Sequence, residues 1–136
     1  MKNLFPVLAS HVPRTAMLLC AGYGRRMRPL TDRTAKPLLV VAGQSLIDHA
    51  LDRLADAAVE RVVVNAHWHA EQVEQRLLAR GVHRPKPGTT LSHEPELLET
   101  GGGVLAALAS GLLAQDAPFF VAVSYTHLTL PTICSV

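Results

Sequence analysis

Leu19-Cys20-Ala21-Gly22-Tyr23-Gly24-Arg25-Arg26-Met27-Arg28-Pro29, followed by Lys36 between Ala35 and Pro37, grows out of the apolar run Ala16-Met17-Leu18-Leu19. The run reads as a buried strand that empties into a glycine-rich, cationic loop. Glycine lets a backbone bend until successive N–H groups converge on anionic oxygens, and side-chain cations neutralise the charge gathered there. A loop of this make-up suits a polyphosphate, which puts nucleotide chemistry first among the hypotheses.

On either side of the loop, strand and helix patterns alternate. Residues 15–20 predict a first strand, and residues 37–41 a short apolar segment ending in the turn Ala42-Gly43-Gln44. Ser45 is placed to cap a helix over residues 46–58, in which Leu46, Ile47, Ala50, Leu51 and Leu54 share a stripe. The continuous β-branched run Val62-Val63-Val64 predicts a second strand, over residues 61–65, covered on both faces. A second helix over residues 70–79 is closed by Gly81, and Pro85-Lys86-Pro87-Gly88 turns into a third strand at residues 89–93. Residues 103–113 predict a third helix and residues 118–123 a fourth strand. The alternation implies an α/β fold with a doubly wound, mostly parallel, Rossmann-like sheet and right-handed crossovers. Ligands of such sheets bind at the carboxyl ends of the strands, where the glycine loop lies.

Composition narrows the remaining classes. A chain of 136 residues with 49 % hydrophobic content is one domain or part of one, with enough apolar residues for a packed core. A net charge of +2, with the basic residues clustered near the loop, argues against nucleic acid as a partner. No apolar stretch approaches the roughly 18 residues of a membrane span. Pro6, His11, Pro13 and Arg14 interrupt any apolar leader, so the expected location is cytoplasmic. Cys20 in a strand and Cys134 in the tail make no disulfide framework, and Cys20 is expected to be a small buried thiol.

The glycine loop is of a definite kind. A Walker A loop needs Gly-x-x-x-x-Gly-Lys-Ser/Thr, which is absent. A dinucleotide fingerprint needs a third glycine opening a helix, but Arg26-Met27 stand there and Pro29 breaks a helix. That fold also needs a ribose-binding acid after the second strand, where Asn65 stands. The remaining pattern, Ala-Gly-x-Gly-x-Arg-Met-x-Pro-Leu-Thr at residues 21–31 followed by Lys36-Pro37, resembles the signature of the sugar-phosphate nucleotidyltransferases, the nucleotide-sugar pyrophosphorylases. Two further stretches share the resemblance: Glu94-Pro95-Glu96-Leu97-Leu98-Glu99-Thr100-Gly101-Gly102-Gly103, and Val63-Val64-Asn65-Ala66-His67-Trp68 with Glu71-Gln72-Val73. It covers roughly residues 14–123 and is strongest to the branch acting on N-acetylmuramate 1-phosphate, in cell-wall (peptidoglycan) recycling, or on mannose 1-phosphate.

The resemblance implies a reaction in which a sugar 1-phosphate oxygen attacks the α-phosphorus of a nucleoside triphosphate (UTP or GTP) and pyrophosphate leaves. Positioning and charge stabilisation then carry the catalysis. It implies that Arg26 and Lys36 are catalytic, with Arg26 on the β- and γ-phosphates and Lys36 on the α-phosphate and incoming sugar phosphate. Leu19, Ala21, Gly22, Gly24, Glu99, Thr100, Gly101 and Gly102 are implied to bind nucleotide, the last two by close backbone approach to the base, and Asn65 to bind substrate. Glu94 and Glu96 read as solvated loop charges. His67 and His69 read as loop residues without the convergent partners a metal needs, and Trp68 as either a sugar-site wall or a cap on the core.

Mg²⁺ is the cofactor the family implies, held by an aspartate after the fourth strand. Here Ser124-Tyr125-Thr126-His127 follows that strand instead, and no carboxylate appears after Asp116. Residues 124–136 continue no strand or helix period and are expected to be a non-family tail, with residues 1–13 an extension before the domain. The expectation is therefore an N-terminal part of a nucleotidyltransferase domain, truncated after the fourth strand and nearly inert by itself. The alternative is a catalytically dead domain of this fold that senses a ligand or serves assembly.

Overall fold

The computed structural model describes residues 12–124 and the backbone of residues 133–135. Four parallel strands form the centre of the sheet: β1 (Thr15–Leu19), β4 (Arg61–Ala66), β5 (Gly88–His93) and β6 (Phe120–Val123). Their order is β5-β4-β1-β6, with β7 (Ile133–Ser135) antiparallel on the β6 edge. β2 (Val40–Val41) and β3 (Gln44–Ser45) make a separate small hairpin. The helices are α1 (Leu46–Asp56), α2 (Ala70–His83) and α3 (Thr100–Ala109).

Alternation along the central strands divides the interior into two layers. Ala16 and Leu18 of β1 and Val62, Val64 and Ala66 of β4 pack with Ile47, Leu51 and Leu54 of α1 and Val73 and Leu77 of α2. Met17 and Val63 point the other way, to Ala107 of α3, Leu113 and Phe119. Apolar residues on both faces explain the unbroken Val62-Val63-Val64 run. The sheet is the doubly wound one expected, and the switch of direction about β1 leaves a crevice at its carboxyl end.

Several boundaries differ from the expected ones. Ser45 caps α1 as anticipated, its Oγ accepting from the Asp48 N–H at 3.3 Å. Gly81 does not end α2, because the helix runs on to His83 and closes with Arg84 N–H donating to the Arg80 carbonyl at 2.7 Å. The third helix begins three residues early, at Thr100, since Gly103 N–H already donates to the Glu99 carbonyl. It also ends early, at Ala109, and is closed by Gly111, which takes φ 78° while its N–H donates to the Leu108 carbonyl and the Leu112 N–H to the Ala107 carbonyl. This paired closure around a left-handed glycine is a Schellman motif. β7 lies in the tail expected to continue no strand. Three residues are too short to show a period, and the rest of that tail, 125–132 and 136, lies outside the described residues.

A ladder of ions joins α1 to α2. Asp48, 1 % exposed, accepts from Ser45 Oγ at 2.6 Å, Arg76 Nε at 2.7 Å and Arg80 Nη1 at 3.0 Å. Arg80 continues to Asp52 at 2.7 Å, which also receives Arg84 at 3.0 Å. Burial acts to raise the Asp48 and Asp52 carboxyls. Hydrogen bonds from Ser45, Arg76 and Arg80 to the first, and from Arg80 and Gln44 to the second, overcome this and hold both below the usual carboxylate range.

Candidate active site

The loop at residues 21–38 holds its shape through side chains supplied from elsewhere. Gly24 adopts φ 66°, and a Cβ there would lie 2.7 Å from Thr31 Cγ2 and 3.1 Å from Lys36 Cβ. Thr31, buried, donates from Oγ1 to the Gly24 carbonyl at 2.7 Å, and its own carbonyl accepts from Trp68 Nε1 at 2.9 Å. His69 Nε2 donates to the Asp32 carbonyl at 3.0 Å. Gln72 holds two more points, donating to the Arg33 carbonyl at 2.8 Å and accepting from Ala35 N–H at 2.9 Å. The β4–α2 junction and the first turns of α2 thus fix the loop on β1.

Two cavities adjoin at the carboxyl end of the sheet and share Leu97. One, of about 510 Å³, is lined by Tyr23, Gly24, Arg25, Arg26 and Lys36 as well as Leu97. Among the described residues its lining has three cations and no carboxylate. Burial lowers the Lys36 pKa, and repulsion from Arg26 lowers it further, as expected of a cation in a site of one sign. Arg25 lies over the Tyr23 ring, 5.1 Å from its centroid. Arg28 pairs instead with Asp32 at 3.4 Å on the exposed side and lines neither cavity.

The other cavity, of about 440 Å³, has Leu19, Ala21 and Gly22 on the β1 side and Asn65 and Val123 from the neighbouring strand ends. Leu98, Glu99, Thr100 and Gly101 complete it from the start of α3. Gly22 and Gly101 have open space where a Cβ would stand, so both present bare backbone to the cavity. Every residue expected to bind nucleotide or substrate lines one cavity or the other, apart from Gly102. A Cβ on Gly102 would press on Leu98 Cβ at 3.2 Å, so its smallness answers to packing within its own turn.

Glu94 corrects the sequence reading more sharply. It is 3 % exposed, not a solvated loop charge, because residues 94–99 fold back across the end of β4. Its Oε1 accepts from Asn65 Nδ2 at 2.8 Å and its Oε2 from the Leu98 N–H at 3.1 Å. Glu96 remains exposed as expected. His67 bridges the two sides of the site: Nδ1 donates to the Glu94 carbonyl at 2.7 Å, which leaves Nε2 to accept from Tyr23 Oη at 3.1 Å. Tyr23 also meets the Trp68 ring, with centroids 5.3 Å apart. Trp68 therefore buttresses the loop, a third role beyond the two considered for it. The signal available for these supports was the matched run at residues 63–73, which says that the side chains matter without saying what they touch.

Gly103, in the first turn of α3, also has no room for a side chain. A Cβ would sit 2.8 Å from both Asn65 Nδ2 and Glu94 Oε1, two atoms already bonded to each other. Gly103→Ala is expected to lower stability by about 1–3 kcal/mol despite alanine's better helix propensity, as read from the chemical unfolding midpoint.

Cys20 is buried as expected, and burial pushes its thiol up to about 12, an inert state against which a hydrogen bond with Ser124 acts only weakly. Ser124, directly after β6, is itself buried. Among the described residues no group of three or more His, Cys, Asp or Glu converges, and no helix is long and apolar enough to cross a membrane.

Comparison with known proteins agrees with this geometry. Residues 16–129 match the MobA-like NTP transferase domain. The chain is 50 % identical over 114 residues to an N-acetylmuramate alpha-1-phosphate uridylyltransferase of Caulobacter vibrioides, covering 83 % of this chain and 46 % of that protein. It is 42 % identical over 109 residues to the mannose-1-phosphate guanylyltransferase catalytic subunit beta of Drosophila melanogaster, covering 78 % of this chain and 28 % of that one. The fold superposes on UDP-glucose pyrophosphorylase complexed with UDP-glucose with a TM-score of 0.68 at 18 % identity, over 85 % of this chain and 49 % of that one. The chain thus spans about half, or less, of each of these relatives. A phosphate-loop signature, a doubly wound sheet and a family match over most of the described residues agree: the chain belongs to the MobA-like NTP transferase family of nucleotidyltransferases, which includes sugar-phosphate members.

Proposed function

We propose that this chain supplies the nucleotide-binding part of a sugar-1-phosphate nucleotidyltransferase, with UTP and N-acetylmuramate 1-phosphate as its pair of substrates. The observation that carries the reading is the junction of the two cavities. A cavity lined by Arg25, Arg26 and Lys36 suits the triphosphate, and the one beside it, with bare glycine backbone at Gly22 and Gly101, suits the nucleoside. The choice of uridine and muramate follows the 50 % identical relative, and GTP with mannose 1-phosphate is the second pair. The first pair belongs to peptidoglycan recycling in the cytoplasm.

In this reading Gly22 and Gly24 present backbone to the phosphates. Arg26 draws charge from the departing pyrophosphate, and Lys36 holds the α-phosphate against the incoming sugar phosphate. Glu99 and Thr100, at the opening turn of α3, offer polar contacts to base or ribose. Asn65 lines the nucleoside cavity, but its carboxamide is already engaged by Cys20 N–H and Glu94. Mg²⁺ is the cation the family implies, and the residue after β6 is Ser124 rather than a carboxylate. The described residues do not fit a metal at that strand end. Binding without turnover is expected of this chain.

Trp68, the single tryptophan, touches the loop directly and reports on it. Titrating the chain with UTP, GTP, ATP and CTP should change Trp68 fluorescence saturably, with UTP tightest. A flat response to all four triphosphates overturns the reading. Saturable binding together with pyrophosphate release from the chain alone overturns the expectation that it does not turn over.

A further inference from the structure

Glu94 is a buried carboxylate to which the proposed chemistry gives no role. Both its oxygens are engaged inside the protein. Its partner Asn65 is also 3 % exposed, and Asn65 Oδ1 accepts the Cys20 N–H at 2.7 Å. The result is one continuous line: Cys20 N–H to Asn65 Oδ1, Asn65 Nδ2–H to Glu94 Oε1, and Leu98 N–H to Glu94 Oε2. Its ends are the root of the phosphate loop and the loop that opens α3, the two walls of the nucleoside cavity. Gly103 packs against the middle of the line with no space for a side chain.

We infer that Glu94 and Asn65 form a clasp that sets the distance between the phosphate loop and the base-side loop, which makes Glu94 a positioning residue for the nucleotide. This deepens the function proposed above and rests on it only for the identity of the ligand. Each donor in the line faces an acceptor. Buried polar groups that lose such a match bear the full cost of desolvation, so a mismatch at one end is relieved by opening the other.

The direction of the hydrogen bonds provides the test. In Glu94→Gln one carboxylate oxygen becomes an amide NH2, so a donor faces either the Asn65 Nδ2–H or the Leu98 N–H. In Asn65→Asp two carboxylates meet. The double substitution Asn65→Asp with Glu94→Gln restores every match: the new carboxylate accepts from Cys20 N–H and from the new amide, whose oxygen accepts from Leu98 N–H. The shape and total charge of the pair are kept.

Amide hydrogen exchange of the ligand-free chain is the first measurement, at Cys20 and at Leu98, and UTP affinity by Trp68 fluorescence is the second. Each single substitution should raise exchange about tenfold or more at both amides, including the one it does not touch, and weaken UTP by a similar factor. The double substitution should bring both back to within about threefold of the unaltered chain. Exchange that rises only at the nearer amide overturns the clasp, and so does a double variant that recovers exchange but not UTP affinity, which would assign Asn65 to the ligand instead. Should a single variant fail to fold, a folded double variant still supports the clasp, and an unfolded one overturns it. An unaltered chain that binds no triphosphate counts against the proposed function, and the exchange comparison then decides the clasp by itself.

Discussion

Asp48→Ala should destabilise the fold by about 3–5 kcal/mol, the largest stability effect expected of any single polar substitution here. The carboxylate is buried and receives Ser45, Arg76 and Arg80. Without it Arg80, whose side chain is 2 % exposed, is left as a buried cation with only Asp52 for an ionic partner, and its Nε already has no partner among the described residues. Urea unfolding reads the effect directly, and a loss below about 1 kcal/mol would show that the ladder is decoration on a helix pair held by Leu51, Leu54, Val73 and Leu77. The sign with pH follows from the same contacts. Asp48 and Asp52 have folded pKa values below their unfolded ones, near 3.9 for an ordinary aspartate. Their contribution is therefore complete above that value and is lost as pH falls through the folded pKa values. Asp48→Asn should flatten the acid limb of the stability curve.

Loss of the loop cations should have the largest effect on binding. Lys36→Ala and Arg26→Ala are each expected to weaken UTP about 10–100-fold, because each removes a charge-assisted contact in a cavity whose described lining is cationic. Reversing both charges, Arg26→Glu with Lys36→Glu, should abolish binding at any accessible concentration. Arg28→Ala is the comparison: it removes a cation of the same loop, but one paired with Asp32 away from the cavities, and should change affinity by less than about twofold at moderate salt. Equal losses for all three single variants would mean that only net charge is being sensed and that the cavity has no specific grip.

The sheet was legible because its strands are covered on both faces. Ala16-Met17-Leu18-Leu19 and Val62-Val63-Val64 have no other economical place in a chain of this size, and the alternation with amphipathic helices leaves one architecture. The phosphate loop was legible because its residue types are tied to backbone shape: Gly24 needs a left-handed φ, and Pro37 fixes direction after Lys36. What escaped were interactions between residues far apart in the chain. Glu94 and Asn65 are 29 positions apart, and Asp48 and Arg80 are 32 apart. Local pattern gives a charged residue in a loop the same appearance whether it is solvated or clasped. The end of α3 was different: Gly111 sits one residue beyond the C-cap, where a closing glycine is common, but Leu112-Leu113 prolong the apolar pattern past it.

Because Trp68, His69 and Gln72 hold the loop from outside, the bend exists before any ligand arrives. Ordering a free segment costs about 1–2 kcal/mol per residue. Here that cost falls on folding, so a triphosphate meets a finished mould. Association should then proceed as a single fast step, without a slow rearrangement after the encounter, and affinity should be sensitive to substitutions on α2 that never come near the phosphates.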